Sequence, residues 1–238
     1  MAPCESCHAG CCRSFAVPVT GADIVAIQRR LGLSFWDFVC RWADPTDSIS
    51  RGRVPHFFFS DAPETPFVIC LLHSDSLFLP GTRKCRFLIE CPPDDTHPLG
   101  QGRCGIYGTR PSACRVFPTK FNTTGDLVIL CNVHPSPHVG GHPAYDLCPR
   151  EWEPHEVDPV QSVQDLVVTK YEFAFFAEIA RAWNRSPRPW QAFPDFLQIV
   201  YSNRVQRESD VKETEEEEAA TVPFPTDRVD CVPYRAAA

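Results

Sequence analysis

Positive charge is in deficit in this chain: 23 Lys and Arg stand against 30 Asp and Glu, for a formal net charge of -7. A protein that grips nucleic acid without regard to sequence needs a basic face to neutralise phosphates, so no nucleic-acid partner is expected. Much of the acidity sits in one late run, Glu208 to Glu218, and the remainder is closer to neutral. No apolar stretch reaches the roughly 18 residues that a membrane span requires, so no membrane partner is expected either. The opening Met-Ala-Pro-Cys-Glu-Ser-Cys has neither a basic n-region nor an apolar h-region, which gives the expectation of a cytoplasmic protein among reduced thiols. No internal repeat is evident.

What is plentiful is cysteine. There are 13, an odd number that cannot be fully paired as disulfides within one chain. With 17 Phe and 5 Trp in 238 residues, the chain can build a core without covalent staples, which leaves metal ligation as the natural use for the thiols.

The periodicities divide the chain into three. A cysteine-rich domain covers 1–150, a C-terminal helical pair 151–207, and an acidic, largely disordered tail 208–238. Thr20 caps a helix in which Ile24, Ile27 and Leu31 recur at helical spacing before Gly32. Ser34 reads as the cap of a second, short helix carrying Phe35 to Trp42. A hairpin is expected with Phe67–Leu72 against Leu77–Leu79, then strands Lys84–Ile89 and Leu127–Val133, with an irregular stretch from Cys91 to Phe117. A long helix from about Val157 to Trp183 presents Val160, Val163, Val167, Tyr171, Phe175 and Ile179 as an apolar stripe. A second helix runs from about Trp190 to Val205. The fold class expected is α+β: an irregular, metal-knit cysteine core with a small antiparallel sheet, N-terminal helices and a C-terminal helical pair.

The candidate ligands fall in two groups. Cys4-x2-Cys7-x3-Cys11-Cys12 puts four thiols within nine residues, and the two-residue gap lets one tight turn direct two of them at one metal. Soft ligands of this kind select zinc, copper(I) or iron–sulfur over magnesium or calcium. Adjacent cysteines are awkward on one tetrahedral ion, because neighbouring side chains diverge. The second group is Cys85, Cys104, Cys114 and one of Cys131 or Cys148. Cys148 precedes Pro149 in a loop, whereas Cys131 lies in the apolar run Val128-Ile129-Leu130 and suits burial equally well. All are expected to meet in one place. Arg13, Arg110 and Arg115 each sit beside or near a candidate cysteine and could offset the negative charge of a thiolate-bound cofactor. Cys40, Cys70 and Cys231 read as packing or tail residues, and Cys91 is ambiguous. His134, His138 and His142 recur every four residues, but Pro135, Pro137, Gly140 and Gly141 forbid the helix that would align them.

The Cys4 to Cys12 group, with Cys104-Gly-Ile-Tyr107, Arg110-Pro111 and Cys114-Arg-Val-Phe-Pro118, resembles the YkgJ-type cysteine-cluster family of zinc- or iron-chelating domains over about residues 4–148. The resemblance implies a metal-binding role carried by eight cysteines, with Cys85 matching the ligand that precedes the Cys-x-Ile-Tyr element. The family more often has two residues, not three, before its paired cysteines. Some relatives are flagellin lysine N-methylases, which makes a metal-dependent protein-modifying enzyme the alternative function. No Gly-rich turn suited to S-adenosylmethionine is evident. The cofactor expected is an iron–sulfur cluster or zinc, its role structural, electron transfer or metal handling. The aromatic residues of the long helix leave room for a protein partner.

Overall fold

The structure, a computed structural model, describes residues 7–125, 127–131, 141–148 and 150–212, with 203–212 described for their backbone alone. Both helices and small antiparallel sheets are present, and the class is α+β.

The aromatic part of the chain builds the main core. Strands β1 (Val39–Ala43), β2 (Phe57–Phe59) and β3 (Ala62–Leu71) form an antiparallel sheet in the order β1-β3-β2, with Val39 opposite Leu71 and Phe57 opposite Phe67. β3 is buried continuously from Phe67 to Leu71, on both faces, because other elements cover each side. Helix α2 (Gly21–Leu31) begins with a capping box in which Thr20 and Asp23 exchange hydrogen bonds. Helix α4 (Pro159–Asn184) starts where Asp158 accepts from the amides of Val160 and Gln161. Its far end is pinned to β2: the Trp183 indole donates to the Phe58 carbonyl, and the Asn184 amide pairs with both Phe58 and His56 backbone groups. Helix α5 (Phe193–Lys212) completes the layer. Phe57, Phe59, Phe176, Trp183 and Phe193 pack edge-to-face or tilted at the centre, the geometry that aromatic quadrupoles favour.

Several expectations are corrected. Only a 3₁₀ turn at Phe35–Asp37 forms after Ser34; β-branched Val39 and the pairing offered by β3 then draw the chain into β1. The expected hairpin does not form: 77–79 is a bend, Phe67–Leu71 pairs within β3 with β1 and β2, and β4 (His73–Asp75) lies against β5 (Arg83–Cys85). The strand expected over Lys84–Ile89 is broken in two, since β6 (Leu88–Glu90) pairs separately with β7 (Gly102–Cys104). β7 and helix α3 (Ser112–Arg115) give order to the stretch expected to be irregular. β8 (Thr119–Phe121) pairs with β9 (Val128–Leu130). α5 continues into the start of the acidic run.

The stripe on α4 is also read differently by the fold. Val160 is 65% exposed and Tyr171 61%, with Val163, Val167 and Val168 exposed beside them; the buried apolar side chains are Leu166, Phe176, Ile179, Ala180 and Trp183. The first turns of α4 thus overhang the main core, and its last turns enter it. Among the described residues, no helix is long and apolar enough to cross a membrane.

Candidate metal centre

The cysteine-bearing part is assembled from pieces too short to stand alone. Cys11 and Cys12 open the four-residue helix α1 (Cys11–Ser14), Cys85 ends β5, Cys104 ends β7, and Cys114 lies in α3. Polar contacts and close backbone approaches bring these pieces together. The Gly102 amide donates to the Cys7 carbonyl at 3.0 Å, and a Cβ on Gly102 would stand 2.7 Å from that of Ala9, so only glycine lets the N-terminal loop lie on β7. A Cβ on Gly10 would come within 1.8 Å of the Asp146 carbonyl oxygen. That carbonyl accepts from His8 Nε2 at 2.8 Å, and the Ser14 hydroxyl donates to the Tyr145 carbonyl at 2.5 Å. Segment 143–148 is thereby seated on the N-terminal loop, which delivers Cys148.

The loop between Cys104 and Cys114 is fixed from α2. Asp23 accepts from the Ser112 amide at 2.8 Å and hydroxyl at 3.0 Å while it serves the cap at Thr20. One buried carboxylate therefore joins the start of α2 to the start of the helix that carries Cys114.

Six thiols register one another's charge. Burial, and then proximity to Cys85, Cys11 and Cys104, pushes the Cys114 thiol well up. Burial pushes Cys85 up to about 12, with Cys104 and Cys11 adding to it. Cys104 is raised by burial and by Cys11, and lowered by the charge of Arg110. The adjacent Cys12 thiol raises Cys11 most, ahead of burial. Burial raises Cys7, and Cys11 and Cys148 contribute; burial likewise raises Cys148, with a contribution from Cys11. Cys11 is the common neighbour. Its nearest influence is the adjacent Cys12.

Cys131 stands apart. Burial raises its thiol, and the charges it meets are those of Lys120 and Arg53, not of other cysteines. Cys40 and Cys70 face each other across β1 and β3 in the main sheet. Cys4, Cys231, His134 and His138 lie outside the described residues. All described cysteines are free thiols.

No three described thiols close a single-ion site. Among the described residues the one trio of His, Cys, Asp or Glu ligand atoms all within 4.8 Å is Asp44, Asp47 and His56. Asp44 there is occupied: it accepts from Ser48, Ile49, Ser50 and His56 and organises the loop after β1.

The three arginines have different surroundings. Arg13 is buried and bound to Glu90 at 2.5 Å; Glu90 also holds Lys84 at 2.9 Å and accepts from Ser76 and the Leu77 amide. Arg110 lies over the Tyr107 ring, 3.7 Å from its centroid. Arg115 Nε stands 3.6 Å from Asp165. Buried donors without a hydrogen-bond partner gather here, among them Arg13 Nη1 and Trp152 Nε1. The Trp152 indole N–H lies close enough to Cys148 to favour its thiolate, although it makes no hydrogen bond of full geometry.

The chain matches no family model, no curated protein and no solved structure. The likeness to the cysteine-cluster family therefore rests on the motif residues themselves. Sequence reading missed Glu90, Lys84 and the Asp23–Ser112 link, because nothing local to a lone carboxylate indicates a partner 77 or 89 residues away.

Proposed function

We propose that this chain is a metal-binding cysteine-cluster protein of the YkgJ type, holding an iron–sulfur centre in preference to zinc. The observation that carries the reading is the common neighbourhood of Cys11: Cys7, Cys12, Cys85, Cys104, Cys114 and Cys148 come from five separate stretches and influence it or are influenced by it. These are the residues that would hold the group, with Cys4 as the remaining motif cysteine. Buried thiols that raise one another's pKa gain most from a cation, whose charge drives off their protons and removes their repulsion. Buried donors at Arg13 and Trp152 add support, since thiolates or bridging sulfides are the acceptors they lack.

The preference for iron–sulfur comes from spread. Bonds of about 2.3 Å place the thiolates of one tetrahedral zinc only about 4 Å apart. No described thiol trio lies within 4.8 Å. A multinuclear centre distributes its thiolates over several metal atoms and tolerates the wider arrangement. Such a centre supplies a one-electron couple and a cross-link between the short pieces.

Anaerobic preparation followed by metal and acid-labile sulfide analysis tests the reading. A brown protein with iron and sulfide in comparable amounts is expected, and Cys114→Ser or Cys7→Ser should lower metal content and thermal stability together. Colourless protein with stoichiometric zinc would move the assignment to zinc, and metal-free protein of unchanged stability would sink both.

A further inference from the structure

A cleft of about 520 Å³ opens between α2, the 108–115 segment and α4. Its charged lining is Arg29, Arg30, Arg110 and Arg115 against Asp23 and Glu172, so the lining itself carries four positive groups and two negative ones. Asp23 is committed to Thr20 and Ser112 by four hydrogen bonds. Arg29 and Arg30 are exposed and, among the described residues, have no carboxylate within 4.0 Å. The Arg110 guanidinium carbon lies over the Tyr107 ring, Arg115 Nε stands 3.6 Å from Asp165, and the Nε atoms of Arg110 and Arg115 are buried without a hydrogen-bond partner.

A helix C-terminus accounts for Arg29 and Arg30, which end α2 and complement its dipole. It does not account for two further guanidinium groups brought to the same cleft from a separate segment. Like charges gathered in one concavity repel, and the arrangement becomes favourable when an anion sits among them. Guanidinium groups offer planar, paired donors that match tetrahedral oxyanions, and the lining stays electropositive, by two on its own residues and by one when the Asp165 beside Arg115 is counted. The volume lies within the range of small-molecule sites and exceeds what a bare ion needs.

We propose that this cleft binds a small molecule through a phosphate group, with Arg29, Arg30, Arg110 and Arg115 as its cradle. The site does not depend on the metal reading. Metal-free protein that binds phosphate would retain the cleft and lose the cluster, and the converse holds.

The test is calorimetric titration of the full chain at constant ionic strength with inorganic phosphate, a phosphomonoester such as glycerol 3-phosphate, and malonate. Saturable binding of the phosphate probes is expected, weakened at least tenfold in the double variant Arg29→Gln/Arg30→Gln and unchanged in Arg181→Gln at the end of α4. Arg110→Gln should weaken binding similarly. If it fails to fold, the exposed Arg29/Arg30 pair still decides the matter. Tighter binding of the phosphomonoester assigns the site to a phosphorylated metabolite, and equal binding assigns it to free phosphate; both uphold the phosphate cradle. Absence of saturable phosphate binding, equal affinity in the double variant, or malonate binding as tight as phosphate would overturn the proposal.

Discussion

The two parts of this molecule are stabilised by different means. Around β1–β3, α4 and α5, buried aromatic side chains fill the space between a three-stranded sheet and two long helices. Around the cysteines, the strands are three residues long and paired only in twos, and the cohesive contacts are a buried ion network, a shared cap and close backbone approaches at Gly10 and Gly102. Isolated two-stranded ribbons are marginal in water. The first part supplies its own driving force through apolar burial; the second depends on polar geometry and, on the reading proposed, on a metal centre.

The largest effect should come from the aromatic part. Phe193→Ala removes a fully buried ring that meets Phe57, Phe59 and Trp183, and should cost about 3–5 kcal/mol in denaturant unfolding while the folded fraction keeps its metal content. Loss of metal in step with that destabilisation would show that the two parts are one cooperative unit.

Glu90→Gln sharpens the contrast from the other side. It leaves Arg13 and Lys84 buried without their shared carboxylate and should cost about 3 kcal/mol. The same residue sets an acid limit. Burial alone would push the Glu90 carboxyl up, but hydrogen bonds from Ser76, Lys84, Arg13 and Leu77 outweigh it and hold the group below its ordinary value of 4.5. A depressed carboxylate contributes stability that is present above 4.5 and lost as pH falls through the lower folded value. Stability measured from pH 7 down should therefore fall below about pH 4.5 in the parent protein and fall less in Glu90→Gln, read by chemical denaturation at each pH.

Asp23→Ala should cost about 2 kcal/mol, since it removes both the α2 cap and the anchor of Ser112. Faster amide exchange over residues 104–115 than over the main sheet would localise the loss to the cysteine-bearing part. The smallest effect is expected at Val163→Ser, on the exposed part of α4, within about 0.5 kcal/mol by thermal unfolding. A larger loss would mean that this apolar face is covered in solution.

Local pattern made much of this legible. Thr20 with Asp23, Asp158 with Pro159, and the long helical run to Asn184 all carry their signal within one or two turns. The strands from Arg83 to Cys104 were harder, because a three-residue strand has too little sequence for a period of two to emerge. The α4 stripe failed for another reason: periodicity identifies an apolar face but cannot say along what length a neighbour covers it.

By itself the sequence determined that this is an α+β chain with far more cysteine than packing requires, spaced so that thiols from distant stretches make plausible ligands. Those properties follow from composition, spacing and local hydrogen-bonding preference. Tertiary structure decided which thiols share a neighbourhood, setting Cys148 near Cys11 and Cys131 near Lys120 and Arg53. It also committed Arg13 to Glu90 and gathered Arg110 and Arg115 with two arginines of α2 around one cleft. Such pairings join residues tens to more than a hundred positions apart, and only the packing of the elements between them fixes the distance.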